Sequence, residues 1–297
     1  MPQTNTNLHR AKREKNDEFY TRYEDIAIEV QHYNEHFKGK TVYCNCDDYR
    51  FSNFVKYFKD NFETLQLKYL VATNYDIGNG AYIYIYNGRN ESVSRLDGNG
   101  DFRSDECVQL LKCCDIVCTN PAFSLWREFF GQLMDYNKKF LIVGSQNVIT
   151  YKDVFPYIKN DCLWFGMNAV KEFTQPNGNV KKFGNVCWFT NIPNEKRNRQ
   201  FNLYKRYNSK DYPKYDNFNC IEVPKTREIP MDYEGVMGVP ISFLNKYCPE
   251  QFEIVGWTRK NDKDMDGGCW LGGSKDATIN GRQIFRRILI KRKQDKQ

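Results

Sequence analysis

The chain has 297 residues, 40% hydrophobic and 15% aromatic, enough for one large domain or a domain with an appendage. A net charge of +7, a pI near 8.7 and a mean hydropathy of -0.74 favour broad polar surface and an anionic partner. The 11 cysteines contain no Cys-x-x-Cys pair, only His9, His32 and His36 could add imidazole, and no apolar run is long enough to cross a bilayer, so neither a structural zinc nor a membrane span is expected.

Residues 1–16 carry Arg10, Lys12, Arg13 and Lys15 and no apolar stretch, which predicts a flexible basic arm rather than a signal peptide. Phe19-Tyr20-Thr21 precedes a helical pattern from Glu24 to Phe37. Thr41 to Cys44 reads as a strand, Asn45-Cys46-Asp47-Asp48 as a loop, and Phe51, Phe54, Val55 and Phe58 as one face of a helix. This is a strand–loop–helix unit of the Rossmann kind, but its loop has no glycine, which argues against a dinucleotide pyrophosphate.

Lys68 to Thr73 is a second strand, ending at Asn74-Tyr75-Asp76. Alternation over Ala81–Tyr86 before Asn87-Gly88 predicts an inserted β-ribbon. A tight loop at 97–102 leads to Ser104, a helix N-cap, and a helix from Asp105 to Cys114. Asp115-Ile116-Val117-Cys118-Thr119 is a buried strand that stops at Asn120-Pro121-Ala122-Phe123. A helix opening near Ser124, a strand over Lys139–Gly144, a helix over Tyr151–Ile158, a strand at Cys162–Phe165 and a late strand over Gly184–Asn191 complete the alternation, which argues for a mostly parallel sheet. Cys44, Cys118 and Cys187 lie inside apolar runs and read as reduced core thiols of a cytoplasmic protein.

A strand ending in Asn-Pro delivers Asn120, Pro121 and Phe123 to the sheet edge where ligands bind in open α/β folds. The exocyclic amine of adenine is a poor nucleophile because its lone pair is delocalised. A side-chain oxygen and a carbonyl aimed at its hydrogens hold the nitrogen closer to tetrahedral. Phe123 offers a face for a base flipped out of a duplex. An ordinary Asn-Pro turn has the same residues, so the flanks decide.

Asn45-Cys46-Asp47-Asp48, Gly100-Asp101-Phe102, Thr119-Asn120-Pro121-Ala122-Phe123-Ser124-Leu125, Lys139-Phe140-Leu141-Ile142 and Cys187-Trp188-Phe189-Thr190-Asn191, in that order, resemble the EcoRI-type adenine-specific DNA methyltransferase family. The resemblance implies a Rossmann-like α/β sheet that binds S-adenosylmethionine (SAM) and methylates adenine N6, within a restriction–modification system or as a solitary or phage-borne relative. It places Phe19, Tyr20, Thr21, Asn45, Asp47, Asn74, Asp101 and Phe102 at the cofactor. It places Asn120, Pro121 and Phe123 at the reacting base, with Trp188 or Phe189 walling the flipped adenine. No metal is implied. The family's second proline is Ala122 here, which adds an N–H and loosens φ.

The catalytic domain is expected over 17–194 and a C-terminal DNA target-recognition region over 195–297. In that region Lys196, Arg197, Arg199, Lys205 and Arg206 alternate with Phe201, Tyr204 and Tyr207, a pattern suited to phosphates and bases. The expected partner is double-stranded DNA, with a monomeric enzyme and no stable complex with an endonuclease. Two other readings remain at this stage: a DNA-binding protein that has lost turnover, and a methyltransferase acting on RNA or a protein amide.

Overall fold

The computed structural model describes residues 20–78, 80–174, 178–260 and 265–293. The basic arm and Phe19 lie outside the described residues. The chain forms two compact units, one made of 1–151 and 165–193, the other of 152–164 and 194–297. The second unit thus takes a segment from within the expected catalytic domain.

The first unit is built on a nine-stranded sheet of order β1-β8-β9-β7-β6-β2-β3-β4-β5. Its strands are β1 (Tyr20–Thr21), β2 (Thr41–Asn45), β3 (Tyr69–Thr73), β4 (Tyr82–Tyr86), β5 (Glu91–Arg95), β6 (Ile116–Thr119), β7 (Lys139–Ser145), β8 (Trp164–Thr174) and β9 (Val180–Thr190). In this sheet β3, β2, β6 and β7 run parallel to one another. β4 and β5 are antiparallel on one side, and β9 is antiparallel to β7 on the other. The mostly parallel sheet expected from sequence is therefore a mixed one. Between β4 and β5 the cause is a short turn, which cannot carry a parallel crossover. The sheet ends in β1 and in β5, whose five residues are all exposed.

Helices of the parallel core pack as their apolar spacing requires. Helix Asn53–Asp60 buries Phe54, Val55, Tyr57 and Phe58, and Ser52 caps it by accepting from the Phe54 and Val55 amides at 3.0 and 3.3 Å. Phe51, expected on the same face, precedes this cap and is 66% exposed. The pattern expected as one helix from Glu24 to Phe37 is two helices, Tyr23–Val30 and Asn34–Phe37, joined by a 3₁₀ turn. Buried Glu29 ties the first of these to β8. It accepts from the Tyr33 hydroxyl and from the amides of Met167 and Asn168 at 2.7–2.9 Å. Those donors satisfy a carboxyl whose pKa burial raises.

The second unit holds a four-stranded sheet of order β10-β11-β15-β12, from β10 (Ile221–Glu222), β11 (Met237–Val239), β12 (Phe252–Trp257) and β15 (Ile288–Arg292), and a hairpin of β13 (Thr278–Ile279) and β14 (Arg282–Gln283). Arg287 donates to Glu222 at 2.6 and 2.9 Å, and the Tyr215 hydroxyl donates to the other oxygen of the same carboxylate. This buried group is fully partnered, the condition for keeping an ion pair inside a core. Segment 152–164 joins the unit through Phe155, which stacks on Trp257 with centroids 4.8 Å apart.

The loop before helix Asp105–Cys113 lies hard against the end of β3, with the Asp76 amide donating to the Asn99 carbonyl at 3.0 Å. Gly100 has φ +72°, and a Cβ there would stand 1.9 Å from the Asn74 carbonyl oxygen. Gly100→Ala is expected to destabilise the protein by about 3 kcal/mol, combining left-handed strain with a backbone clash. Urea unfolding measures it, and a change within experimental error would contradict this packing.

Candidate active site

The chain runs from β2 out to β3 and later returns to pair β6 with the other side of β2, which makes the β2/β6 boundary a topological switch point. Ligands of open α/β sheets bind outside the carboxyl ends of the strands at such a point. Here β2 ends at Asn45 and β6 at Thr119, one residue before Asn120.

The loop after β2 is stitched to both neighbouring strands. The Asp47 amide donates to the Thr73 carbonyl at 2.9 Å. The Asp47 carboxyl accepts from Ser52 Oγ and faces Thr119 Oγ1, each at 2.6 Å. Thr119 Oγ1 also donates to the Asn45 carbonyl. One hydroxyl proton cannot serve two acceptors. The Thr119 hydroxyl therefore lies with one proton between the Asp47 carboxyl and the Asn45 carbonyl. Burial raises the Asp47 pKa to about 6, against the lowering effect of the two hydroxyls. Asp48 is different. It is paired with Arg50, whose guanidinium donates to it at 2.6 and 2.9 Å. Among the described residues no cation pairs with Asp47.

This loop lacks glycine, yet Cys46 has φ +74°, the backbone conformation that glycine usually supplies. Cys46→Val, which puts a β-branched residue at this φ, is expected to cost about 2 kcal/mol relative to Cys46→Gly. Equal unfolding midpoints for the two variants would show that the turn relaxes.

Two expected cofactor residues, Asn45 and Asp47, meet here, and Thr21 is tied to the helix that follows their loop. Thr21 is buried, and its carbonyl accepts from Asn53 Nδ2 at 2.9 Å, which sets Tyr20-Thr21 beside the first turn of helix Asn53–Asp60. Asn45 is fully buried, with its Oδ1 accepting from Thr73 Oγ1 at 3.3 Å. Asn45 Nδ2 and Thr21 Oγ1 are both buried without a hydrogen-bond partner among the described residues. With a carboxyl that lacks a cation, these orphaned polar atoms fit a zwitterionic ligand.

The other expected cofactor residues are placed differently. Asn74 is 6% exposed and spends its Oδ1 on the Tyr82 amide at 2.8 Å, closing the ribbon onto the sheet. Phe102 is turned into the core against Phe129, at 5.1 Å between centroids. Asp101 takes the Arg103 guanidinium at 2.6 and 2.9 Å.

Asn120 is half-buried, Pro121 is buried and Ala122 is exposed. Ala122 has φ -53°, within the range that a proline ring fixes, and its carbonyl accepts from the Leu125 amide at 2.9 Å. The loop therefore holds the proline-like backbone without the second proline. Phe123 is half-buried and meets Phe173 and Phe183 edge-on at 6.4 and 6.3 Å.

Trp188 and Phe189, expected to wall the adenine, are both fully buried. Successive strand residues point to opposite faces, and helices cover both: Trp188 meets Phe54 and Phe189 meets Trp126. Neither presents a ring to a base. The late strand expected from Gly184 begins at Val180 instead, which brings Phe183 into β9. β9 pairs with β7 only from Val186 onward, opposite Ser145, so residues 180–185 extend past the carboxyl end of β7 and carry Phe183 towards Phe123.

In the second unit the expected phosphate contacts divide. Arg199, Lys205 and Arg206 are exposed and Lys196 is half-exposed. Arg197 is 8% exposed, its guanidinium bonded to Asp161 and lying 3.8 Å over the Trp164 ring, so it holds the unit together and is withdrawn from any phosphate.

A Rossmann-like sheet with a carboxylate loop and an Asn-Pro turn meeting at its switch point defines a methyltransferase acting on an exocyclic amine. The chain belongs to the family described as adenine-specific methyltransferase EcoRI, whose model matches residues 7–293. It is 44% identical to the type II methyltransferase M.EcoRI of Escherichia coli, over 98% of this chain and 97% of that one. It is 38% identical to M.MpnI of Mycoplasma pneumoniae, covering 97% and 98%, and 36% identical to M.MgeORF184P of Mycoplasma genitalium, covering 97% and 99%. No solved structure matches the chain. Among the described residues no helix is long and apolar enough to cross a membrane.

Proposed function

We propose that the first unit transfers the methyl group of SAM to N6 of an adenine flipped out of double-stranded DNA, and that the second unit binds the DNA around the target. The observation that carries this reading is the meeting of the Asp47 loop with the strand that ends in Asn120-Pro121, joined through Thr119. Lys196, Arg199, Lys205 and Arg206 are the phosphate contacts proposed for the second unit. The enzyme acts as a monomer, alone or beside an endonuclease of the same specificity with which it forms no stable complex.

When bound, SAM supplies an electrophilic methyl group on a sulfonium. Asp47 would hold the ammonium of its methionine part, and Asn45 and Thr21 would meet further polar groups. Asn120 Oδ1 and the Pro121 carbonyl accept from the two N6 hydrogens, which withdraws the lone pair from the ring and aims it. Positive charge develops on N6 during transfer, so these fixed oxygens stabilise the transition state more than the ground state. Phe123, braced by Phe173 and Phe183, packs against the flipped base.

Asn120→Ala is expected to lower single-turnover transfer by a factor on the order of 10²–10³ while SAM and DNA binding persist. Phe123→Ala weakens capture of the flipped base by about 1–3 kcal/mol, the scale of base–aromatic stacking. Its defect is expected to shrink when the adenine is mispaired, because flipping then costs less. Wild-type rates for Asn120→Ala would remove it from the reaction.

Asp47 also sets a pH dependence. Its pKa in the free protein is about 6, and a bound ammonium lowers it by favouring the charged form. SAM affinity is therefore full above about pH 6 and falls below it, by up to about tenfold per unit. Calorimetry between pH 5 and 7 tests this. The wild-type slope is expected to vanish in Asp47→Asn, and a flat wild-type profile would show that Asp47 does not meet the ammonium.

A further inference from the structure

Phe285 is 86% exposed, the highest value among the large hydrophobic residues of the described chain that stand open to solvent. It is not carried on a loose loop. The Ile284 amide donates to the Ala277 carbonyl at 2.8 Å, and the Ile284 side chain packs on the core formed by Tyr215, Phe218 and Leu289. Two residues on, the Arg287 amide donates to Thr258 Oγ1 at 2.8 Å and the Arg287 side chain is locked on Glu222. The backbone is anchored on both sides of Phe285, and only its ring is left outside. Holding an apolar ring in water on a fixed backbone costs solvation and gains nothing within the unit.

The surroundings are cationic. Arg286 lies over the Trp257 ring, with Cζ 4.9 Å from the centroid. Arg259 belongs to the neighbouring strand segment and pairs with Asp276 at 3.5 Å, the two residues also forming a backbone bridge. Among the described residues the charges acting on Arg286 are those of Arg259 and Asp276, and that carboxylate is paired with Arg259. Partial burial, then the Arg259 charge, lowers the Arg286 pKa. Exposed Lys275 and Arg282 extend the positive surface.

We propose that Phe285 is an apolar wedge that enters the base stack of duplex DNA while Arg259 and Arg286 hold the phosphates beside the step it opens. Proteins that unstack DNA use this combination of a rigid apolar side chain and adjoining cations. A pinned backbone suits the task, because a wedge on a mobile loop would lose ordering entropy on insertion. The proposal rests on the reading of the protein as a DNA methyltransferase and adds a named device to its second unit.

The test uses the full chain and a methylatable duplex carrying 2-aminopurine at successive positions. Wild type is expected to raise fluorescence at a defined step, Phe285→Leu to keep that signal and Phe285→Ala to lose it. Phe285→Ala is expected to bind the intact duplex about tenfold more weakly, the loss of one aromatic stacking contact, and to recover on a duplex with an abasic site at that step. Its unfolding midpoint should equal that of wild type. Arg286→Met, which keeps an unbranched stem over Trp257, should flatten the slope of log K against log salt by about 0.9. Wild-type fluorescence and affinity in Phe285→Ala, or a loss of affinity that the abasic site does not repair, would overturn the wedge. An unchanged salt slope in Arg286→Met would overturn the phosphate contact. Failure of wild type itself to bind duplex DNA would instead overturn the reading beneath both.

Discussion

The candidate active site depends on one hydroxyl. Thr119 stands at the carboxyl end of β6 and reaches both the carbonyl of Asn45 and the carboxyl of Asp47. β2 and β6 have to part at their ends for a ligand to enter a parallel sheet, and their ladder pairs only Val42 and Tyr43 with Ile116 and Val117. Beyond those residues backbone pairing no longer sets the distance between the loops. Thr119 replaces it with a side-chain tie, one residue before Asn120. The position of the Asn120-Pro121 turn and the state of the Asp47 carboxyl are thus parts of one hydrogen-bonded unit. A protein interior strengthens such ties because water does not compete for them.

What could be read from the sequence was what local chemistry decides. Pro121 ends β6 because it has no amide proton, and Ser52 and Ser104 begin helices because their hydroxyls accept from free amides. The ribbon of β4 and β5 followed from alternation and Asn87-Gly88. What escaped was set at a distance. Arg197 looked like a surface cation, and only its meeting with Asp161 and Trp164 draws it inside. Trp188 looked like a base platform, but burial on both faces of β9 is decided by helices far away in sequence. The loss of segment 152–164 to the second unit has no local cause at all.

Ala122 and Cys46 make a related point about motifs. One stands where the resemblance leads to an expectation of proline, and the other takes a backbone conformation that glycine usually supplies. The chain nevertheless adopts φ -53° at Ala122 and φ +74° at Cys46. Residue type here sets the cost of a conformation rather than the conformation itself, because the surrounding hydrogen bonds determine the loop.

The β5 end of the nine-stranded sheet shows how it avoids growing. A strand at an edge offers unpaired amides and carbonyls to any extended segment that drifts past. Here β5 begins with Glu91 and ends with Arg95, so an incoming strand would have to strip water from charge at both ends of the ladder. An enzyme that crowds onto DNA raises its own local concentration there. Blunted edges let many copies share one polymer without zipping together sheet to sheet.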